Sequence, residues 1–365
     1  MKQATHRALH RAAQRGMTLV ELMIGIAIGL FLMAVMGTVY MGSRTTFVAQ
    51  ESGSRLQENG RFVMDTIAND LRMSGFRGCA AVDMASLRAG TPALTPVDNT
   101  LNTPNALLYN FGEQIWGSRN NGAWSPALTA PANGLGALAA GDVLVVRRPF
   151  GTAWSLIGEM AGNTAALAIT PNTAFLQSDL LMVADCAGSS VLQATNAGPG
   201  AAGSLAHQAG AGGVVPGVSR SNLSRVYSND ARVWRMQTLI YYLADSQRRP
   251  GETALWVYAS PAYDGRALTS ELVTGVERMA ITFGVDNDGP DLEGNLSANR
   301  FNSADQVANW GQVVSARVEL LLAGGTDSQT AATQSVVFGG ATITPTDRRL
   351  RTVMSMLVSL RNTVP

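Results

Sequence analysis

Histidine is almost missing from this chain: three occur in 365 residues, at His6, His10 and His207. Two lie in the first ten residues and the third in a Gly-rich stretch. A histidine-based metal centre or a Ser-His-Asp triad needs imidazoles that this inventory does not supply in one place. Charge is scarce as well. Twenty-seven basic and 26 acidic residues leave a net charge of +1, and 15% of residues are charged. That removes any general electrostatic reason to bind nucleic acid or an acidic surface. Only two cysteines occur, Cys79 and Cys186, too few for a disulfide scaffold and enough for one bridge. No recurring strand–helix–strand pattern appears, which argues against a parallel α/β enzyme fold. Glycine, by contrast, is abundant at 38 residues and with Ala, Asn, Ser and Thr dominates the middle of the chain. Such a composition suits a loop-rich β domain outside the cytoplasm, and the length allows one large domain or two modest ones.

The first 16 residues carry Lys2, Arg7, Arg11 and Arg15 and no acid. From Met17 to Gly42 nearly every residue is apolar or small. As a helix this span would be about 39 Å long, enough to cross a hydrocarbon core of about 30 Å. Basic residues ahead of it hold that end in the cytoplasm and send everything after Gly42 across the membrane. A secretory signal has an apolar region of only about 7–15 residues and a small-x-small cleavage site; this span is longer and no such site follows. A plain signal anchor fits the hydropathy but leaves Glu21 unexplained. A carboxylate in a transmembrane helix costs about 2.5–3.5 kcal/mol near the centre and less near an interface. Glu21 therefore either snorkels to an interface or meets a partner. Gly25 and Gly29 form a G-x-x-x-G, which permits close helix packing but is also ordinary glycine usage in membrane helices.

Beyond the membrane span, Leu56, Val63, Ile67 and Leu71 recur at helical spacing, with Phe62 and Met64 beside them. Arg61, Asp65, Asn69, Asp70 and Arg72 cover the other side, and Gly75 is a natural stop. The pattern predicts one nearly continuous helix from Met17 to about Ser74, with Gly53 and Gly60 as places for bends. Residues 90–140 read as long loops. Strands are predicted at 142–148, 179–185, 232–245 and 253–260. Three later segments alternate cleanly, with Met279, Ile281, Phe283 and Val285, then Val314, Ala316, Val318, Leu320 and Leu322, then Leu350, Met354, Met356, Val358 and Leu360 on apolar faces. Period-two alternation with one apolar face predicts an antiparallel sheet packed on the long helix. The fold class is α+β.

"RGMTLVELMIGIAIG" resembles the class III leader of type IV pilins and pseudopilins: a basic leader, a Gly, a hydrophobic residue, Thr-Leu and a Glu. Met17 replaces the commoner Phe. "LRMSGFRGC", "AGDVLVV", "VADC", "ELVTGVERMAITFGVDNDG", "WGQVVSARVELLL" and "DRRLRTVMSMLVSLRN" follow in an order similar to that of the PilW family of type IV pilus minor pilins. The Gly-rich insert near 188–222 has no clear counterpart. The resemblance implies cleavage between Gly16 and Met17 by a prepilin peptidase, then N-methylation of Met17. It implies a pilin-like architecture: a leader at 1–16, a transmembrane helix at 17–42, a periplasmic amphipathic continuation at 43–75 and a periplasmic β-rich domain at 76–365. The new amine on Met17 would lie about 6 Å of helix rise from Glu21, so the carboxylate of one subunit could meet the amine of the next and fix register.

The translocated side is oxidising, which favours a Cys79–Cys186 bridge over buried free thiols or a reactive thiol. "GPGAAG" at 198–203 matches G-x-G-x-x-G literally, but without the helix a dinucleotide site needs it reads as a flexible loop. "DNDGPD" at 286–291 puts its Gly fourth and Pro fifth, so it fails as an EF-hand loop and reads as a polar turn, a non-EF calcium site being the alternative. Arg348, Arg349, Arg351 and Arg361 could form a weak basic patch; alternation puts three of them on one strand face, which is read as solvated, DNA contact being the alternative. No catalytic residue, cofactor or metal is expected. The implied role is assembly in the complex that initiates pilus growth. Partners would be other minor pilins, the major pilin, the prepilin peptidase, the inner-membrane assembly platform and membrane lipid, with nucleic acid not expected. A J-type minor pseudopilin of type II secretion, or a tip-displayed adhesin or DNA-binding module, are the alternatives.

Overall fold

The computed structural model describes residues 16–79, 95–263, 267–286, 297–325, 330 and 332–363. The basic leader through Arg15 and the "DNDGPD" turn after Asp286 lie outside the described residues. Helix α1 runs from Leu19 to Met73 over 55 residues. It ends where glycine permits: Gly75 takes a φ of +66°, and the Ser74 hydroxyl donates to the Leu71 carbonyl at 2.7 Å. A left-handed glycine just past the last turn is a common helix stop.

The chain divides into two compact units, Met1–Ser52 and Gly53–Pro365. In the first, the apolar side chains from Met17 to Met41 stand exposed. Thr38, Thr45 and Thr46 donate their hydroxyls to the carbonyls of Val35, Met41 and Gly42 at 2.8, 2.9 and 3.0 Å. These hydroxyls are thereby satisfied within the helix itself, which for Thr38, inside the apolar span, is what a lipid environment demands.

The second unit holds seventeen described strands in chain order: β1 (Val97–Asn99), β2 (Ile115–Asn120), β3 (Trp124–Ser125), β4 (Val143–Ser155), β5 (Leu167–Ala168), β6 (Leu180–Ala184), β7 (Ser189–Gln193), β8 (Ser204–Leu205), β9 (Arg232–Asp245), β10 (Thr253–Ser260), β11 (Thr269–Thr274), β12 (Val276–Val285), β13 (Arg300–Ser303), β14 (Val313–Gly324), β15 (Val336–Phe338), β16 (Ala341–Ile343) and β17 (Leu350–Ser359). A nine-stranded sheet has the order β1-β7-β6-β9-β4-β2-β3, with β10 also on β9 and β11 on β10. A four-stranded sheet has the order β13-β12-β14-β17, and β5–β8 and β15–β16 are small pairs. Where one antiparallel sheet was expected, there are two main sheets, and β1 runs parallel to β7.

Two joints tie the sheets together. Gly275, between β11 and β12, donates its N–H to Thr253 of β10 and accepts from the N–H of Ala323 of β14, both at 2.8 Å. Its φ of +88° lies where L side chains are strained. Just before β4, Asp142 donates its N–H to the Met279 carbonyl at 2.9 Å, and its Oδ2 accepts the Ile281 N–H at 2.7 Å.

The main core forms where the last turns of α1 meet both sheets. Val63, Ile67 and Leu71 pack with Leu144, Leu239 and Tyr241 of the large sheet and with Ile281, Phe283, Val318 and Leu320 of the small one. Burying each such side chain contributes about 1.5–3 kcal/mol, so the amphipathic stripe is what seats the helix. The alternation expected of Met279, Ile281, Phe283 and Val285 is realised, all four being buried.

Other expectations need correction. Phe62 is exposed at 53% rather than part of the stripe. Asp70 is not on a solvated face: Arg148 Nε approaches its Oδ1 at 2.6 Å, and the Tyr241 hydroxyl donates to it. Gly60 does not break the helix. It is buried, and a Cβ there would lie 2.2 Å from the Met354 sulfur, so its role is close approach of α1 to β17. Arg351 is not solvated either. It is buried and engages both Glu277, at 2.7 and 2.9 Å, and Asp347, at 2.5 and 3.0 Å. "GPGAAG" is no loose loop but a helical turn, Pro199–Ala202, where a Cβ on Gly200 would lie 2.7 Å from the Asn172 carbonyl. Its four residues lead directly into β8 rather than into a nucleotide-binding helix.

Candidate processing and assembly site

Gly16, Met17 and Thr18 precede the first helical residue, Leu19, and all are exposed. Thr18 is the residue from which the helix starts, its carbonyl accepting the Leu22 N–H at 3.1 Å. The Thr18 hydroxyl accepts the Glu21 N–H at 3.2 Å. In return, Glu21 Oε2 accepts the Thr18 N–H and the Thr18 hydroxyl, both at 3.3 Å. This reciprocal pattern is a capping box, in which Ser or Thr and a Glu three residues later satisfy N–H groups that the helix start leaves open. A carboxylate in the first turn also faces the positive end of the helix dipole. Glu21 thus has a partner in its own chain. Sequence reasoning missed it by seeking only an interface or a neighbouring subunit, although the T-x-x-E spacing carries the signal.

Along the same helix, no atom lies within 4 Å of a Cβ built on Gly25 or Gly29. Spaced four residues apart, they share one face and leave it open to close approach. Cys79 and Cys186 are far from this segment in sequence and are joined to each other, across a separation of 107 residues. Cys79 follows the end of α1 and Cys186 follows β6, so the bridge fixes the chain leaving the helix to the large sheet. His207, expected in an open Gly-rich loop, is buried, and burial lowers its pKa. Among the described residues no group of three or more His, Cys, Asp or Glu could hold a metal ion.

Residues 11–37, which contain the capping box and the start of the apolar helix, match the prokaryotic N-terminal methylation motif. Residues 240–362 match the family described as type IV pilus-assembly protein W, PilW. Together the two matches support a PilW-type minor pilin. The second match begins within β9 and takes in β10 to β17, so the whole four-stranded sheet lies inside it. A long apolar N-terminal helix followed by a β domain is the pilin arrangement, and α1 is long and apolar enough to serve as a single-pass membrane anchor. No curated protein and no solved structure matches the chain.

Proposed function

We propose that the chain is a non-catalytic minor pilin that helps form the complex initiating pilus growth. In this reading it inserts with its basic end in the cytoplasm and its β domain in the periplasm. A prepilin peptidase removes the leader after Gly16, and Met17 becomes the N-methylated first residue. Gly25 and Gly29 offer a face for other pilin helices, among them the other minor pilins and the major pilin. The inner-membrane assembly platform is the machinery on which this association takes place.

The capping box is the observation that carries the reading. All described hydrogen bonds to the Glu21 carboxylate fall on Oε2. An ionised carboxylate has two oxygens and about four acceptor sites. Oε1 is therefore available for one further donor, and after cleavage the amine of Met17 on an adjoining subunit supplies one of opposite charge. Thr18 holds the side chain in place for that contact and lowers the cost of carrying a carboxylate in lipid before assembly.

N-terminal mass spectrometry of the protein from cells with and without prepilin peptidase tests the proposal. Protein from peptidase-positive cells is expected to begin at N-methylated Met17, and protein from peptidase-negative cells to keep residues 1–16. An uncleaved leader in peptidase-positive cells would remove the reading.

A further inference from the structure

The two main sheets end in strands of different kinds. In the large sheet β1 and β3 are three and two residues long, and β11, six residues long, carries Glu271. In the small sheet β13 is four residues long and begins with Arg300. Among these terminal strands β17 is the exception. It spans ten residues and pairs with β14 along its whole length without a bulge. From Thr352 to Leu360 it holds no charge, no proline and no glycine. Short strands, charges, prolines and bulges are the devices that keep a sheet edge from pairing with another chain. Past Arg351, β17 has none of them.

Two hydrogen bonds fix which way its backbone groups point. The Leu360 N–H faces β14 and donates to the Val314 carbonyl at 2.9 Å. The Arg351 N–H faces the other way and donates to Gln334 Oε1 at 2.9 Å. Backbone groups alternate in direction along a strand, so Val353, Ser355, Leu357 and Ser359 share the outward direction of Arg351. Their N–H groups have no acceptor among the described residues. Ser355, Leu357 and Ser359 are exposed. The β15–β16 hairpin does not close this edge: it reaches inward to β14, where the Gly339 N–H donates to Glu319 Oε1 at 3.2 Å.

We infer that the edge of β17 from Val353 to Ser359 receives an extended strand from the β domain of a different pilus subunit. This rests on the proposed assembly role. An open edge supplies the backbone hydrogen bonds of such a contact, and alternate side chains supply its selectivity. The incoming strand is uncharged where it crosses Thr352–Leu360, because a charge there would lose water without meeting a countercharge. On the face toward α1 it lies beside Met354 and Met356, which pack on the main core, so its residues on that face are apolar. A second copy of β17 paired antiparallel is the wrong occupant. β17 runs in the same direction as α1, from Leu350 beside Gly53, past Met354 beside Gly60, to Asn362. Asn362 Nδ2 donates to the carbonyls of Arg72 at 3.0 Å and Ser74 at 2.8 Å. Turning one copy end over end to pair the strands would reverse its helix, whereas subunits anchored in one bilayer point theirs the same way.

The full chain, expressed in cells that assemble pili and carrying photoreactive p-benzoylphenylalanine in place of Ser359, tests this. Mass spectrometry is expected to find its adduct on a β-strand peptide of another pilin, in protein that begins at Met17. Ser355→Pro removes an outward N–H that no group of the chain accepts, and proline is tolerated where the N–H of an edge strand faces solvent. Leu357→Lys puts a charge on the edge at an exposed position and guards against misfolding of the proline variant. Both are expected to lose most of the adduct and to lower pilus number, with Tm of the purified chain in detergent unchanged. An adduct on a second copy of this chain, on a helix, or on a protein that is not a pilin would overturn the inference, as would an adduct that survives either variant. Absence of any adduct in processed protein overturns it as well and leaves the assembly reading standing, whereas an uncleaved leader overturns both.

Discussion

Asp142 shows how much a single side chain is asked to do. It is 8% exposed, and its carboxylate takes the Ile281 N–H where the large sheet meets the small one. Burial, with Asp305 adding to it, outweighs this hydrogen bond and the attraction of Arg119, and raises its pKa from 3.8 to about 6. An acid whose folded pKa lies above its unfolded one binds its proton more tightly when folded. Its contribution to stability is complete below the unfolded value and is lost as pH rises through about 6. Asp142→Asn keeps an acceptor for Ile281 and removes the charge. Urea unfolding between pH 4 and 8 is expected to show the variant gaining on the parent as pH rises, by up to about 3 kcal/mol at pH 8. Asp179, raised to about 6 by the same cause, leaves residual pH dependence in both proteins. None of this was legible in the sequence. An Asp at the start of a strand looks like a turn residue, and only the long-range meeting of β12 with residues 140–142 makes it a buried acceptor.

At the scale of elements the reading was more successful, for a physical reason. The segments 232–245 and 253–260 match β9 and β10 at both ends, because dense β-branched and aromatic residues leave little doubt about strand character. The helix was equally plain from its apolar span and its later stripe. Long-range ion pairs have no such local signature: Asp70 and Arg351 sit at positions that alternation or helical spacing assigns to solvent, yet partners from distant strands draw them in. The joint at Gly275 belongs to the same class. A Cβ at that position would lie 2.6 Å from the Ala323 carbonyl oxygen, and this backbone atom cannot step aside as a flexible side chain could. A left-handed φ by itself costs a non-glycine residue about 1–2 kcal/mol. Gly275→Ala is therefore expected to destabilise by more than about 2 kcal/mol, read as a lower urea midpoint, whereas Gly122→Ala, at an equally positive φ but with open space around it, isolates the backbone strain alone. Equal losses in the two variants would show that the clash at the sheet joint contributes nothing.

For the molecule as a whole, the bridge between Cys79 and Cys186 is a covalent constraint, closing a loop of 107 residues between the helix end and β6. In the chain-entropy account a loop of about 100 residues contributes up to about 4.7 kcal/mol by restricting the unfolded chain. Replacing both cysteines by serine is expected to lower the urea midpoint with the largest single effect among these variants. If the double variant unfolds like the parent, the bridge serves only to hold local geometry. The bridge was legible as an expectation from the compartment and the count of two, but not which strand it ties to the helix end, since Cys186 follows β6.

Assembly also belongs to this scale, and the role proposed for Glu21 in it can be separated from its capping of the helix. Thr18→Ala removes the capping hydroxyl and leaves the carboxylate charged; loss of an N-cap typically costs about 1 kcal/mol. Glu21→Gln keeps an amide oxygen able to accept from the Thr18 N–H and removes the charge. If Glu21 serves only to start the helix, Thr18→Ala should impair assembly at least as much as Glu21→Gln. Pairing with the amine of an adjoining subunit reverses the order, because a charge in low dielectric is costly to leave alone and a neutral amide cannot compensate an ammonium. We expect Glu21→Gln to abolish most pili while Thr18→Ala reduces their number mildly, with membrane insertion of both variants unchanged on fractionation. Pilus counts by electron microscopy, against equal protein levels in the membrane, decide it. A mild Glu21→Gln phenotype beside a severe Thr18→Ala one would leave the carboxylate as a cap and nothing more.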